Sequence, residues 1–217
     1  MEMGGGGGGG VPVATGSSPS ALDEPHPRLE TPLTSERFPA VIAIQKQFLN
    51  SKRCLCLIPC GMCEGMDEFA ERHRQHPERL GMAAVAVGAD GQAVGFVQMS
   101  MVGMQSFDER LFHKVGPGEA YIESMAVLDG NRGTGLGKEM LSWCEKRARE
   151  QGAAVLTLGV INGNPAQRLY ERFGFVATPR SPCAQMVSCC CLTVLFGRPY
   201  GCCDAAVGVT LMHKPLA

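Results

Sequence analysis

Between residues 128 and 139 the chain reads Leu-Asp-Gly-Asn-Arg-Gly-Thr-Gly-Leu-Gly-Lys-Glu. Gly133, Gly135 and Gly137 alternate with Thr134 and Leu136 where an apolar strand pattern gives way to a helical one. Small residues there let backbone N–H groups converge, and the N-terminus of the following helix adds partial positive charge, so the turn can hold an anion. Arg132 enters the turn. Lys138 lies in the first helical turn, where the helix dipole alone disfavours a cation but nearby phosphate oxygens would favour one. A plain strand-to-helix turn is the alternative, though it needs fewer glycines. The dinucleotide spacing G-x-G-x-x-G fails at Lys138, and the Walker spacing fails at Arg132 and Glu139. Upstream, Glu123 alternates with Tyr121 and Glu119 on one strand face. An acid inside an apolar strand is paired or functional, so Glu123 is read as a general base acting through water or as half of a salt bridge. Tyr170 shares a helical face with Ala166, Leu169 and Phe173 and either packs in the core or moves a proton. His113, in a long polar loop, is read as solvated or as approaching an acceptor. Cys54, Cys56, Cys60 and Cys63 fall within ten residues and lack the second spaced pair of a structural zinc site, so no metal is expected.

The spacing Arg132-Gly-Thr-Gly135-Leu-Gly137 is similar to the R-x-x-G-x-G signature of the GCN5-related N-acetyltransferase (GNAT) superfamily. Tyr121-Ile-Glu-Ser-Met-Ala-Val127 resembles that family's splayed central strand. Asn164-Pro-Ala-Gln-Arg-Leu-Tyr170-Glu-Arg-Phe-Gly174-Phe175 resembles its second segment, N-x-x-A-x-x-L-Y-x-x-x-G-F, with Ala166 one position early. The resemblance implies direct transfer of acetyl from acetyl-CoA, as co-substrate, to a primary amine. It implies that backbone groups of Met125, Ala126 and Val127 pair with the pantetheine arm. Arg132, Gly133, Thr134, Gly135, Leu136, Gly137 and Lys138 would hold the pyrophosphate. Asn164 would bond the pantetheine amide or simply cap its helix, and Tyr170 would protonate the leaving thiolate. Some protein N-terminal acetyltransferases of the family carry an acid on the strand before Asn164; Gly159 stands there in this sequence. A non-catalytic acyl-CoA sensor of the same fold and an ordinary nucleotide-phosphate binder are the competing readings, the second weakened by the failed spacings.

These residues need a scaffold. Helical spacing is predicted over 39–50, with Val41, Ile44 and Phe48 on one face, and over 66–76, with Met66, Phe69, Ala70 and His73. Residues 82–87 and 93–99 read as strands joined at Asp90-Gly91, a strong hairpin signal. A strand over 119–128 leads into the glycine turn. A helix over 136–151 carries a stripe of Leu136, Met140, Leu141, Cys144 and Ala148. A strand from 154, a short helix opened by Asn164-Pro165 and closed at Gly174, and strands over 183–197 and 205–213 complete an α/β (α+β) mixed sheet. The expected architecture is one GNAT-type domain over 34–217, its splayed central sheet flanked by helices, after a disordered Gly/Pro/Ser-rich leader over 1–33.

With 217 residues, of which 45% are apolar, the chain can bury a proper core. Lys plus Arg number 20 against 21 acids, which argues against a nucleic-acid partner. Only 17 residues separate Arg180 from Arg198, short for a membrane span; a buried strand is the reading there, and acylation of Cys189-Cys190-Cys191 the alternative. The 11 clustered cysteines, with no secretory signal before them, point to a reducing intracellular setting, the cytoplasm, with an organelle left open. The amine, small or protein-borne, is not specified by charge, and both monomer and homodimer fit.

Overall fold

The computed structural model describes residues 28–50, 65–105, 110, 113–179 and 209–216. Seven strands form one sheet: β1 (Arg28–Glu30), β2 (Ala83–Val87), β3 (Ala93–Ser100), β4 (Glu119–Val127), β5 (Val155–Ile161), β6 (Val176–Ala177) and β7 (Val209–Pro215). Their order is β1-β2-β3-β4-β5-β7-β6. Every neighbouring pair is antiparallel except β4 and β5, which are parallel. A parallel pair needs a crossover, and the helix α3 (Leu136–Glu150) supplies it. Helices α1 (Phe38–Asn50) and α2 (Met66–Gln75) precede the hairpin, and α4 (Gln167–Arg172) follows β5.

The sheet is buried on both faces, which is why β2 reads as an unbroken apolar run rather than an alternation. Ala83, Val85, Val87, Phe96 and Ala126 pack with Val41, Ile42 and Ile44 of α1 and Phe69 of α2. The opposite face sets Ala84, Ala86, Val97, Met99, Ile122 and Leu158 against Leu136, Met140, Leu141, Cys144 and Ala148 of α3. The five stripe residues expected from the sequence are the buried residues of α3. Burying a side chain such as Met140 or Leu141 contributes roughly 1.5–3 kcal/mol. Arg147 and Arg149 complement the C-terminal end of the helix. It closes with Ala153 N–H donating to Ala148 O and Gly152 N–H to Arg149 O, the paired bonds of a Schellman turn.

The expected leader boundary at residue 33 falls too late. Residues 28–30 pair with Val85–Val87 as an edge strand, and Leu33 is buried against α1. A three-residue strand has no period of its own to read; tertiary pairing makes it. The strand β6, of two residues, was not expected either. Residues 183–197 and the cysteines at 54–63 and 189–191 lie outside the described residues; of the strand expected over 205–213, residues 209–213 are described, in a strand that runs on to Pro215.

Two polar groups are buried between the α1/α2 layer and the sheet. His73 of α2 donates from Nδ1 to Phe69 O at 2.8 Å and lies beside Phe69 and Phe38. Burial holds its imidazole below the ordinary value. Arg79, in the 3-10 turn Pro77–Met82, donates to both carboxylate oxygens of Glu123, at 2.6 and 3.3 Å, and to Met104 O at 2.7 Å.

These two groups give opposite kinds of stability test. Because the folded state keeps His73 neutral, the unfolded chain gains a proton that the fold resists. Stability contributed this way is present above the unfolded value near 6.5 and falls as pH drops below it. Unfolding midpoints measured from pH 7.5 to 5 should decline, and His73→Leu should flatten that slope whatever its effect at pH 7.5. Arg79→Met strands a buried carboxylate and should cost about 3–5 kcal/mol in denaturant titrations. Adding Glu123→Gln to Arg79→Met should recover at least half of the loss, a recovery that packing effects alone would not produce.

Candidate active site

Strands β4 and β5 pair only from Glu119–Ile122 against Val155–Leu158. Beyond that both strands continue, β4 to Val127 and β5 to Ile161, without pairing each other. The divergence begins at a bulge. Ile122 and Ser124 face Met99 and Gln98, which are consecutive on β3, so Glu123 is the extra residue. Leu128 N–H donates to Val94 O at 2.9 Å. By antiparallel alternation Ala126 also bonds β3, while the backbone groups of Met125 and Val127 point to the β5 side. Of the three strand residues expected to meet an extended ligand, Ala126 is therefore committed to β3; Met125 and Val127 flank the open fork.

The glycine turn lies at the end of that fork. Gly133 and Gly135 have φ of +81° and +92°, the left-handed region that a side chain disfavours. No atom outside the turn lies within 4 Å of where a Cβ would stand at either position. Gly135 is the N-cap of α3 and has no side chain to satisfy the first N–H groups. Its carbonyl accepts from Lys138 and Glu139 N–H, at 2.9 and 3.1 Å. Gly137 leaves room for a neighbour: a Cβ there would stand 2.9 Å from Leu169 Cδ2 of α4, and that side chain would have to shift. Thr134 Oγ1 donates to Asn131 O, Leu136 anchors the helix in the core, and Lys138 is exposed. Arg132 braces the turn: its Nε donates to Val127 O at 3.1 Å and its Nη1 pairs with Asp129 at 2.7 Å.

Asn164 forms an Asx turn just ahead of α4, whose N-cap is Ala166. Its Oδ1 accepts from Ala166 N–H at 3.0 Å, and its backbone carbonyl accepts from Gln167 N–H. Tyr170 lies in the core on the α3 face, with its ring edge-on to Phe175. Glu123 is not a free carboxylate. Its side chain is 10% exposed and is gripped by the 2% exposed Arg79. A guanidinium-bound carboxylate is a poor proton acceptor, so the general-base role expected for Glu123 gives way to the salt bridge.

A second polar cluster, which sequence reading did not assemble, lies on the same strand face. Glu119 accepts from His113 Nε2 at 2.6 Å, from Gly116 N–H at 2.8 Å and from the Thr157 hydroxyl. Burial pushes its carboxyl up, but the bonds from His113, Gly116 and Thr157 together outweigh that and hold it below the usual carboxylate range. The His113 ring lies 4.7 Å from that of Tyr121. The Tyr121 hydroxyl in turn stands 3.1 Å from where a Cβ on Gly159 would be. Gln105 fixes the loop that carries His113, donating to His113 O and accepting from Val115 N–H. The alternation of Glu119, Tyr121 and Glu123 was the readable signal; the partners Arg79, His113 and Thr157 were not.

Comparison with known proteins agrees with this geometry. The model of the acetyltransferase (GNAT) family matches residues 47–175, more than half of the chain. Over 92 residues the chain is 39% identical to the streptothricin acetyltransferase of Streptomyces lavendulae; the match covers 42% of each protein, so the chain spans less than half of that relative. Among solved structures, the fold resembles that of the Salmonella typhimurium protein determined with acetyl-CoA, with a TM-score of 0.59 and 18% identity over 88% of this chain and 94% of that one. It also resembles the ribosomal-protein-S18-alanine N-acetyltransferase of Escherichia coli, with a TM-score of 0.53 and 19% identity over 88% of this chain and 94% of that one. A strand fork that ends in an open glycine turn, and a family match that spans both, make this chain a member of the acetyltransferase (GNAT) family.

Proposed function

We propose that the chain transfers acetyl from acetyl-CoA to a primary amine by direct attack. One observation carries the reading: the fork between β4 and β5 leads onto the uncapped N-terminus of α3 through two left-handed glycines that open into unfilled space. A pyrophosphate fits that turn because the first N–H groups of α3 have no side-chain cap and the helix dipole favours an anion. The turn Arg132–Lys138 would hold the diphosphate. Backbone groups of Met125 and Val127 would take the extended arm as an added strand. The bound co-substrate supplies an activated thioester. The protein's part is to orient its carbonyl, deliver the amine and handle protons. Tyr170 is the proposed acid for the departing sulfur. Asn164 first serves its helix, and an amide bond to the ligand would use its NH₂ group.

The family match supports an enzyme over a silent sensor. For the acceptor, the similarity to a streptothricin acetyltransferase makes streptothricin the first amine to try. Gly159 favours a non-protein acceptor, since the acid some protein N-terminal acetyltransferases carry there is missing.

Calorimetric titration with acetyl-CoA should show binding by the wild type and none by Gly135→Asp, which sets a carboxylate where the diphosphate would lie. Absence of binding by folded wild type would overturn the reading. Turnover with an amine panel headed by streptothricin separates an enzyme from a sensor. Tyr170→Phe should lower kcat by about 100-fold, the low end of general acid catalysis, with acetyl-CoA affinity unchanged; a rate within threefold of wild type would return Tyr170 to a packing role.

A further inference from the structure

The amine acceptor enters as an ammonium ion at neutral pH and must lose a proton before it can attack. Glu123, the acid expected to receive it, is held by Arg79. On the same strand face stands an imidazole held by a carboxylate. His113 Nε2 donates to Glu119, which two further donors hold in place. A neutral imidazole whose Nε2 carries the hydrogen presents Nδ1 as an acceptor, and among the described residues no protein group bonds Nδ1. The ring leans on Tyr121, one residue, or about 3.3 Å, before the last β4–β5 pair and the opening of the fork. Across the fork residue 159 is an exposed glycine that adds no side chain of its own, with the Tyr121 hydroxyl and Val209 beside it. An acceptor reaching the mouth of the fork on this face would therefore pass the imidazole.

We propose that His113 takes the proton released by the acceptor amine and that Glu119 is its positioning residue. This rests on the acetyltransfer reading above. The ammonium gives one proton to His113 Nδ1, directly or through one water, and Glu119 stabilises the imidazolium that forms, as the carboxylate of a catalytic triad does. The nitrogen lone pair forms the C–N bond while the C–S bond breaks, its electron pair leaving with sulfur. Tyr170 protonates sulfur. The second proton shed by nitrogen returns through water to the Tyr170 phenolate, and His113 releases its proton to bulk water. The net products are amide, thiol and one proton. The ionisable groups around the ring are Glu119 and Tyr121 on β4 and, further along the same face, the Arg79–Glu123 pair; Lys114, next in the chain, is exposed, and β5 contributes the uncharged Thr157.

The test is kcat/KM for streptothricin from pH 5.5 to 9.5 in wild type, His113→Gln and Glu119→Gln, with acetyl-CoA affinity measured in parallel. In wild type an ascending limb should follow an imidazole. His113→Gln should abolish that limb and lower kcat about 100-fold with acetyl-CoA affinity unchanged. Glu119→Gln should keep the limb, shift it to lower pH by removing the imidazolium's counter-charge, and reduce kcat about tenfold. A limb and rate unchanged in His113→Gln, with binding intact, overturn the base assignment alone; loss of acetyl-CoA binding by wild type would instead be a failure of the acetyltransferase reading. Imidazole NMR of the unmodified protein needs no variant. A His113 resonance that titrates in step with the kinetic limb supports the proposal, and one that titrates more than a full pH unit away overturns it.

Discussion

The parting of β4 from β5 after Ile122 and Leu158 is the constraint around which the rest of the structure is arranged. A sheet gains by completing its ladder, and a strand that stops pairing in the middle leaves backbone donors and acceptors unmatched. Something must keep the gap open. The bulge at Glu123 turns β4 at the point of departure, and Arg79 fixes the bulged residue from the α2 side. On the other side of the gap, β5 remains paired with β7 along its whole length, from Val155 with Pro215 to Ile161 with Val209. Each strand thus follows its outer neighbour. Past the open end of the fork, the Leu169 side chain of α4 packs against Gly137 in the first turn of α3. The glycine turn is where that contact and the uncapped helix N-terminus meet.

The two faces of the sheet do different work. Towards α3 the packing is almost wholly apolar and includes Cys144, whose thiol burial pushes well above its ordinary value. Charged anchors stay at the margin: Lys214 joins Glu145 to β7 and lies 4.2 Å over the Phe173 ring. Towards α1 and α2 the apolar cluster covers β2, β3 and the end of β4, while Glu119, Tyr121, Glu123, Gln98 and Thr157 bring polar groups onto the central strands. The polar patch begins where β4 and β5 are about to separate.

Local periodicity made α3 legible residue for residue, because each stripe position reports the same neighbour one turn away. The hairpin and the glycine turn were equally readable, since Gly91 and Gly135 are set by local backbone conformation. The edge strands β1 and β6 were not, because two or three residues carry no period and exist only through their partners. The same limit applied to the site. Glu123 stood out as an acid in an apolar strand, but its partner lies 44 positions upstream, and nothing in either residue names the other. His113 and Glu119 are six apart, yet the course of the loop between them, and so their meeting, is set by Gln105 and Thr157. Arg132 shows the converse: its place in the signature was readable, while its grip on Val127 O and Asp129 required the fold.

Pairing of the acids on the polar face has a chemical consequence. A carboxylate without a partner at the mouth of the fork would hold an incoming ammonium ion as a salt bridge and raise the cost of removing its proton. Glu123 is matched by a guanidinium, and Glu119 is already satisfied by an imidazole, a backbone N–H and a hydroxyl. Arg79 neutralises Glu123, and the acceptor sites of Glu119 are already occupied, so neither meets an ammonium ion as an unpartnered carboxylate would. On the proposed reading, such a face would admit an amine without holding it in its unreactive form. The only group in the cluster whose protonation state ordinarily changes near neutral pH is the imidazole. Strand register brings Glu119, Tyr121 and Glu123 to this face, and on the proposed reading the partners of the two acids leave proton exchange to the imidazole.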